Sequence, residues 1–172
     1  MIHRTRSKVI AGVCLALAFS ACATAQEHAT TSTKKEATMT TQARGPFDVK
    51  LSSLEAYNKD EGAGLARMSI DKQFHGDLEA TSKGEMLAAG SGGKGSSGGY
   101  VALERVTGTL RGRSGSFVLQ HNATMTRGEP YLNIIVVPDS ASGALAGLTG
   151  KMNIVIADGK HSYEFDFVLP SQ

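Results

Sequence analysis

The chain has 172 residues, enough for one domain of ordinary size, and carries a formal net charge of +2. Three of its positive charges, Arg4, Arg6 and Lys8, precede the first acidic residue, so the chain without them is near neutral at −1 and lacks the basic footprint of a nucleic-acid binder. Both cysteines, Cys14 and Cys22, fall in the same N-terminal stretch, which excludes a disulfide framework for the domain behind it.

Residues 1–25 read as a signal peptide. Met1 to Lys8 form its positive region, and Val9 to Ala18 form an apolar run too short to span a bilayer. Two processing routes stay open. Ala18-Phe19-Ser20-Ala21-Cys22 is similar to a lipobox, in which Cys22 is lipidated and becomes the N-terminus, although Phe19 stands where Leu is usual. Ala23-Thr24-Ala25 offers signal peptidase cleavage before Gln26. The first route predicts a periplasmic or outer-membrane lipoprotein held by Cys22, the second a soluble periplasmic or secreted protein. Residues 26–44 are rich in Thr, Ala and Lys, show no period, and read as a disordered tether.

From Gly45 to Gln172 the pattern changes to alternation. His161, Tyr163, Phe165, Phe167 and Leu169 share one face, with Ser162, Glu164 and Asp166 on the other; Phe117, Leu119 and His121 alternate with Ser116, Gln120 and Asn122. Strands are predicted near 45–55, 64–75, 78–88, 99–109, 114–125, 131–138, 150–157 and 161–169, separated by turn signals such as Asp158-Gly159. No amphipathic helix interrupts them. About eight strands with short connections predict an all-β antiparallel barrel, filled by side chains or holding one small ligand.

Lys72-Gln73-Phe74-His75-Gly76-Asp77-Leu78, the run Gly99 to Gly108, Gly112 to His121, and Gly159 to Phe165 together resemble the bacterial domain-of-unknown-function family 3224. That resemblance covers nearly everything from Gly45 to Leu169. It implies a barrel similar to that of allene oxide cyclase, with a cavity, and implies no activity.

Two short motifs invite a catalytic reading. Gly90 to Gly95 fits a dinucleotide-binding pattern and Gly95 to Gly99 fits a hydrolase elbow. Each needs a helix after it, whereas Tyr100-Val101-Ala102-Leu103 predicts a strand, so both are set aside as products of a glycine-serine loop. Asp77, Glu79 and Glu85 read as a solvated outer face rather than a cation site, and no metal or other cofactor is expected.

The remaining chemistry sits on the inner faces. Alternation turns His121 and His161 inward, and an up-and-down order brings them to one mouth of the barrel with Tyr163 below. Tyr100 starts at the same rim and Glu104 lies deeper, although Val101 and Leu103 compete with Glu104 for the inside. His121, His161, Tyr163, Tyr100 and Phe117 are therefore the candidate ligand-binding residues, and Glu104 the candidate catalytic one. The stronger alternative is that the same groups hold the core together by bonding to one another. Three functions stay open: a binding protein for a small apolar ligand, an isomerase or cyclase resembling allene oxide cyclase, and a non-catalytic structural or interaction protein of the cell envelope. Oligomeric state is left open.

Overall fold

The computed structural model describes residues 40–60, 64–90 and 95–170. The leader, Cys22, the cleavage site after Ala25 and most of the tether lie outside these residues. The described chain is β throughout, with no helix. Its strands are β1 (Thr41–Leu54), β2 (Leu65–Phe74), β3 (Leu78–Gly90), β4 (Gly98–Leu110), β5 (Arg113–Thr126), β6 (Glu129–Val136), a two-residue β7 (Ser142–Gly143), β8 (Thr149–Ala157) and β9 (Lys160–Val168). The first strand begins at Thr41, four residues before the expected boundary at Gly45. Ala43, assigned above to the tether, is fully buried and pairs with Phe165.

Every long strand pairs antiparallel with its neighbour, and β1 pairs with β9 while β4 pairs with β5, so the sheet closes into an eight-stranded up-and-down barrel. Its stagger can be traced pair by pair. From Ser53 the row of partners passes through Met68, Met86, Ala102, His121, Ile134, Met152 and Phe165, then returns to β1 at Ala43, ten residues below its start. A shear of this size tilts the strands steeply and leaves the interior wide enough for side chains or a small ligand.

The tight turns explain why the order is up-and-down. Arg111-Gly112, Arg127-Gly128 and Asp158-Gly159 each place two successive residues at positive φ, the two-residue hairpin geometry whose twist matches that of the flanking strands.

The two ends of the barrel differ. At the lower end Phe74, Leu78, Leu110, Phe117, Phe165 and their neighbours form one packed core. The segment after β6, assigned no element by its alternation, plugs this end. β7 pairs with Gly115 and Ser116 of β5, and consecutive turns bury Leu145 and Leu148. The upper end, where β3 meets β4 and β5 meets β6, has no such plug among the described residues.

Candidate functional site

Alternation along β4 decides the interior chemistry. Val106 and Leu110 are buried, and this phase carries Glu104, Ala102 and Tyr100 inward while Val101 and Leu103 stay more than half exposed on the outside. Two apolar side chains thus yield the inner face to a carboxylate. The reason lies on the neighbouring strands, which supply three hydrogen-bond donors. Lys72 Nζ donates to Glu104 Oε1 at 2.7 Å, Ser82 Oγ donates to Oε2 at 2.6 Å, and His121 Nε2 donates to Oε1 at 2.9 Å. All four residues are buried, Glu104 to 1% exposure and His121 to 2%. Gly84 faces Glu104 across β3 and β4, and a Cβ there would stand 2.6 Å from the Glu104 Cβ. Glycine makes the room for this carboxylate.

Burial by itself would raise the Glu104 carboxyl. The His121 hydrogen bond and the Lys72 charge outweigh it and hold the group at about 2, so Glu104 is ionised at neutral pH. An ionised carboxylate only accepts, so His121 Nε2 carries the proton of their hydrogen bond. The Lys72 ammonium also lies over two rings, 5.3 Å from Phe47 and 5.6 Å from Phe74.

The candidates divide between the two ends. Tyr100 lies beside His121, their rings 6.2 Å apart, and lines the upper mouth. That mouth encloses about 500 Å³, bounded by Met86, Ala88, Ala123, Met125 and Leu132 with Ser96 and Ser97 at the rim. Burial raises the Tyr100 phenol, and the nearby Glu104 charge adds to it. His161 reaches the interior from a wall that does not adjoin that of His121, since β6 and β8 separate β5 from β9 on one side. Its ring packs on Phe47, 5.3 Å away.

Tyr163 and Phe117 belong to the packed end. The Tyr163 hydroxyl accepts from Leu78 N at 2.8 Å and donates to His75 O at 3.0 Å, which ties the β2–β3 turn to β9. Burial pushes this phenol up to about 12, so the donated proton stays in place. Phe117 stacks on Phe165 at 5.8 Å.

Sequence reasoning missed Lys72 and Ser82. The signal was available, because Lys72 shares its phase with Ile70 and Phe74, and Ser82 shares its phase with Leu78 and Ala80. The outer carboxylates have ordinary surface partners: Asp77 with Arg111, Glu79 with His75 and Glu85 with Arg67. Among the described residues no group of three or more His, Cys, Asp or Glu is placed to hold a metal ion. The glycine-rich motifs lie partly in residues 91–94, outside the described chain, and Gly98 opens a strand.

The pattern of the family described as "Protein of unknown function (DUF3224)" matches residues 43–167, which is nearly the whole barrel. The chain belongs to the DUF3224 family. A crystal structure of a DUF3224 protein of unknown function from Shewanella oneidensis MR-1 is 50% identical, with a TM-score of 0.72, over 78% of this chain and 100% of that one. No curated protein matches. The DUF3224 barrel therefore comes with its fold established and no reaction attached.

Proposed function

We propose that the upper mouth of the barrel holds a small, mostly apolar molecule. One observation carries this reading: inward-phased apolar side chains at this end stay uncovered by the described residues, both lining the cavity and beyond it. Leu51 continues the inner face of Phe47 and Val49 yet is 47% exposed, and Ile156 continues that of Met152 and Ile154 yet is 65% exposed. A barrel built only for packing would cover such residues, as the plug covers the lower end. A volume of about 500 Å³ suits a ligand of ordinary metabolite or lipid-fragment size.

The test is native mass spectrometry on the full chain purified gently from its own organism, with organic extraction of whatever is retained. The expected result is a recurrent bound molecule that disappears in Ala88→Trp, which fills the mouth and leaves the lower core intact. A ligand-free mass for the unaltered protein overturns the reading.

The isomerase reading stands second. Glu104 is occupied by three donors and ionised, so proton transfer in this geometry belongs to His121, with Glu104 orienting it. A protein-contact reading has the outer stripe of Leu65, Leu87, Val101 and Leu103 in its favour. Export through residues 1–25, with Cys22 or Gln26 as the new N-terminus, completes the proposal and would put the barrel in the cell envelope. Lipid labelling that survives in the native chain and vanishes in Cys22→Ala distinguishes the two routes.

A further inference from the structure

We infer that the outer face of β2, β3 and β4 is the contact surface of a homodimer, in which a second copy of this chain covers the apolar stripe. A contact there deepens the protein-contact reading and is independent of what the mouth holds. The outward phase of a closed sheet meets water. On β1 that phase carries Asp48, Lys50 and Ser52, and on β9 it carries Ser162, Glu164 and Asp166. On β2 to β4 it carries Leu65, Leu87, Val101 and Leu103 instead, each between 51% and 58% exposed. The ladder gathers the four into one patch. Val101 stands opposite Leu87, Leu103 follows Val101 on the same face of β4, and Leu65 stands opposite Ala89, two residues along β3 from Leu87. Leu87, Val101 and Leu103, with Arg67, Glu85 and Gln120, bound a groove of about 540 Å³. An apolar patch of this kind, edged by polar groups, is the anatomy of an interface.

The edge of the patch says what the partner is. Arg67 and Glu85 pair with each other through one oxygen: Nε donates to Oε2 at 2.8 Å and Nη2 donates to the same atom at 2.6 Å. Arg67 Nη1 and Glu85 Oε1 have no protein partner among the described residues, and both side chains stay well exposed. One cation beside one anion matches neither an anionic membrane surface nor a peptide of a single charge sign. It matches itself. A two-fold relation offers Arg67 of each copy to Glu85 of the other while the apolar side chains close between them, which gives an isologous contact with matched charges.

The test is the solution mass of the full chain, by light scattering and sedimentation from low to high micromolar concentration. We expect a monomer–dimer equilibrium. Val101→Glu alters a half-exposed outward position, so the circular dichroism spectrum should be unchanged while dimerisation weakens about a hundredfold, the scale of an interface hot spot. Arg67→Glu and Glu85→Arg each set like charges across the contact and should each be monomeric alone. Mixed in equal amounts they should dimerise, because the mixed pair restores an opposite charge at both crossings. A monomer at every concentration, a dimer that Val101→Glu leaves intact, or an equal mixture of the two charge variants that stays monomeric overturns the inference. A monomer that sediments with phosphatidylcholine vesicles also overturns it and makes the face a membrane contact. None of these results bears on the mouth reading.

Discussion

At the scale of single residues, the interior turns on Glu104. Its carboxylate neutralises a lysine that would otherwise be an unpaired charge among aromatic rings, and its second oxygen is satisfied by Ser82. Such a pair need add little net stability, because both ions lose their hydration, but breaking it is costly. Glu104→Gln should destabilise the barrel by about 3–5 kcal/mol, and adding Lys72→Met should recover most of that loss. Chemical denaturation of the two variants checks this. The pH dependence follows from the depressed folded value. A carboxyl at about 2 in the folded chain and near its usual value when unfolded contributes stability above the unfolded value. That contribution is lost as pH falls from about 4.5 toward 2, on the order of 3 kcal/mol in all. Denaturation midpoints measured across that window should slope for the native chain and flatten in Glu104→Gln.

At the scale of elements, the segment from Val137 to Leu148 does what no strand does. It closes the lower end with two leucines held by turn hydrogen bonds: Leu145 N donates to Ser142 O, and Leu148 N donates to Leu145 O. Leu145 is fully buried and belongs to the main core. Leu145→Ala should therefore cost about 2–5 kcal/mol, as other buried leucines do, measured by thermal or denaturant unfolding. The same substitution should leave binding at the upper mouth unchanged by native mass spectrometry, because Leu145 does not line that mouth. The eight long strands themselves were legible from alternation, each within a few residues. The plug was not, because Ser-Gly-Ala-Leu-Ala-Gly-Leu has neither a period of two nor a helical period, and its burial depends on where β5 and β6 bring it.

At the scale of the whole barrel, closure makes every strand necessary. β1 bridges β2 and β9, and its first residues pair with the end of β9 from Thr41 opposite Phe167 to Phe47 opposite His161. A chain beginning at Gly45 removes Ala43 from the core and uncovers Phe165 and Phe167. Compared with a chain beginning at Met39, it should melt several degrees lower, since about 1 kcal/mol moves the midpoint of a domain this size by 2–8 °C. The barrel's two ends also divide the burial unequally. The aromatic lower half supplies most of it, while at the upper end Leu51 and Ile156 stay exposed.

By itself the sequence determined the class of the protein and most of its strands. Alternation is a local property, and the turn pairs Arg111-Gly112, Arg127-Gly128 and Asp158-Gly159 sit between strands whose phases agree. The inward placement of His121, His161, Tyr163 and Phe117 followed from the same local rule. Only the tertiary structure decided the level of each along the barrel, because that depends on shear, which sets the height of each residue against strands far away in sequence. Shear carried Tyr100 to the upper mouth, brought His121 onto Glu104 and sent Tyr163 to a backbone corner. It also settled the contest at β4. A carboxylate prevails over Val101 and Leu103 for the inner face only when a lysine, a serine and a histidine from three other strands arrive at the same level, and no local pattern records that meeting.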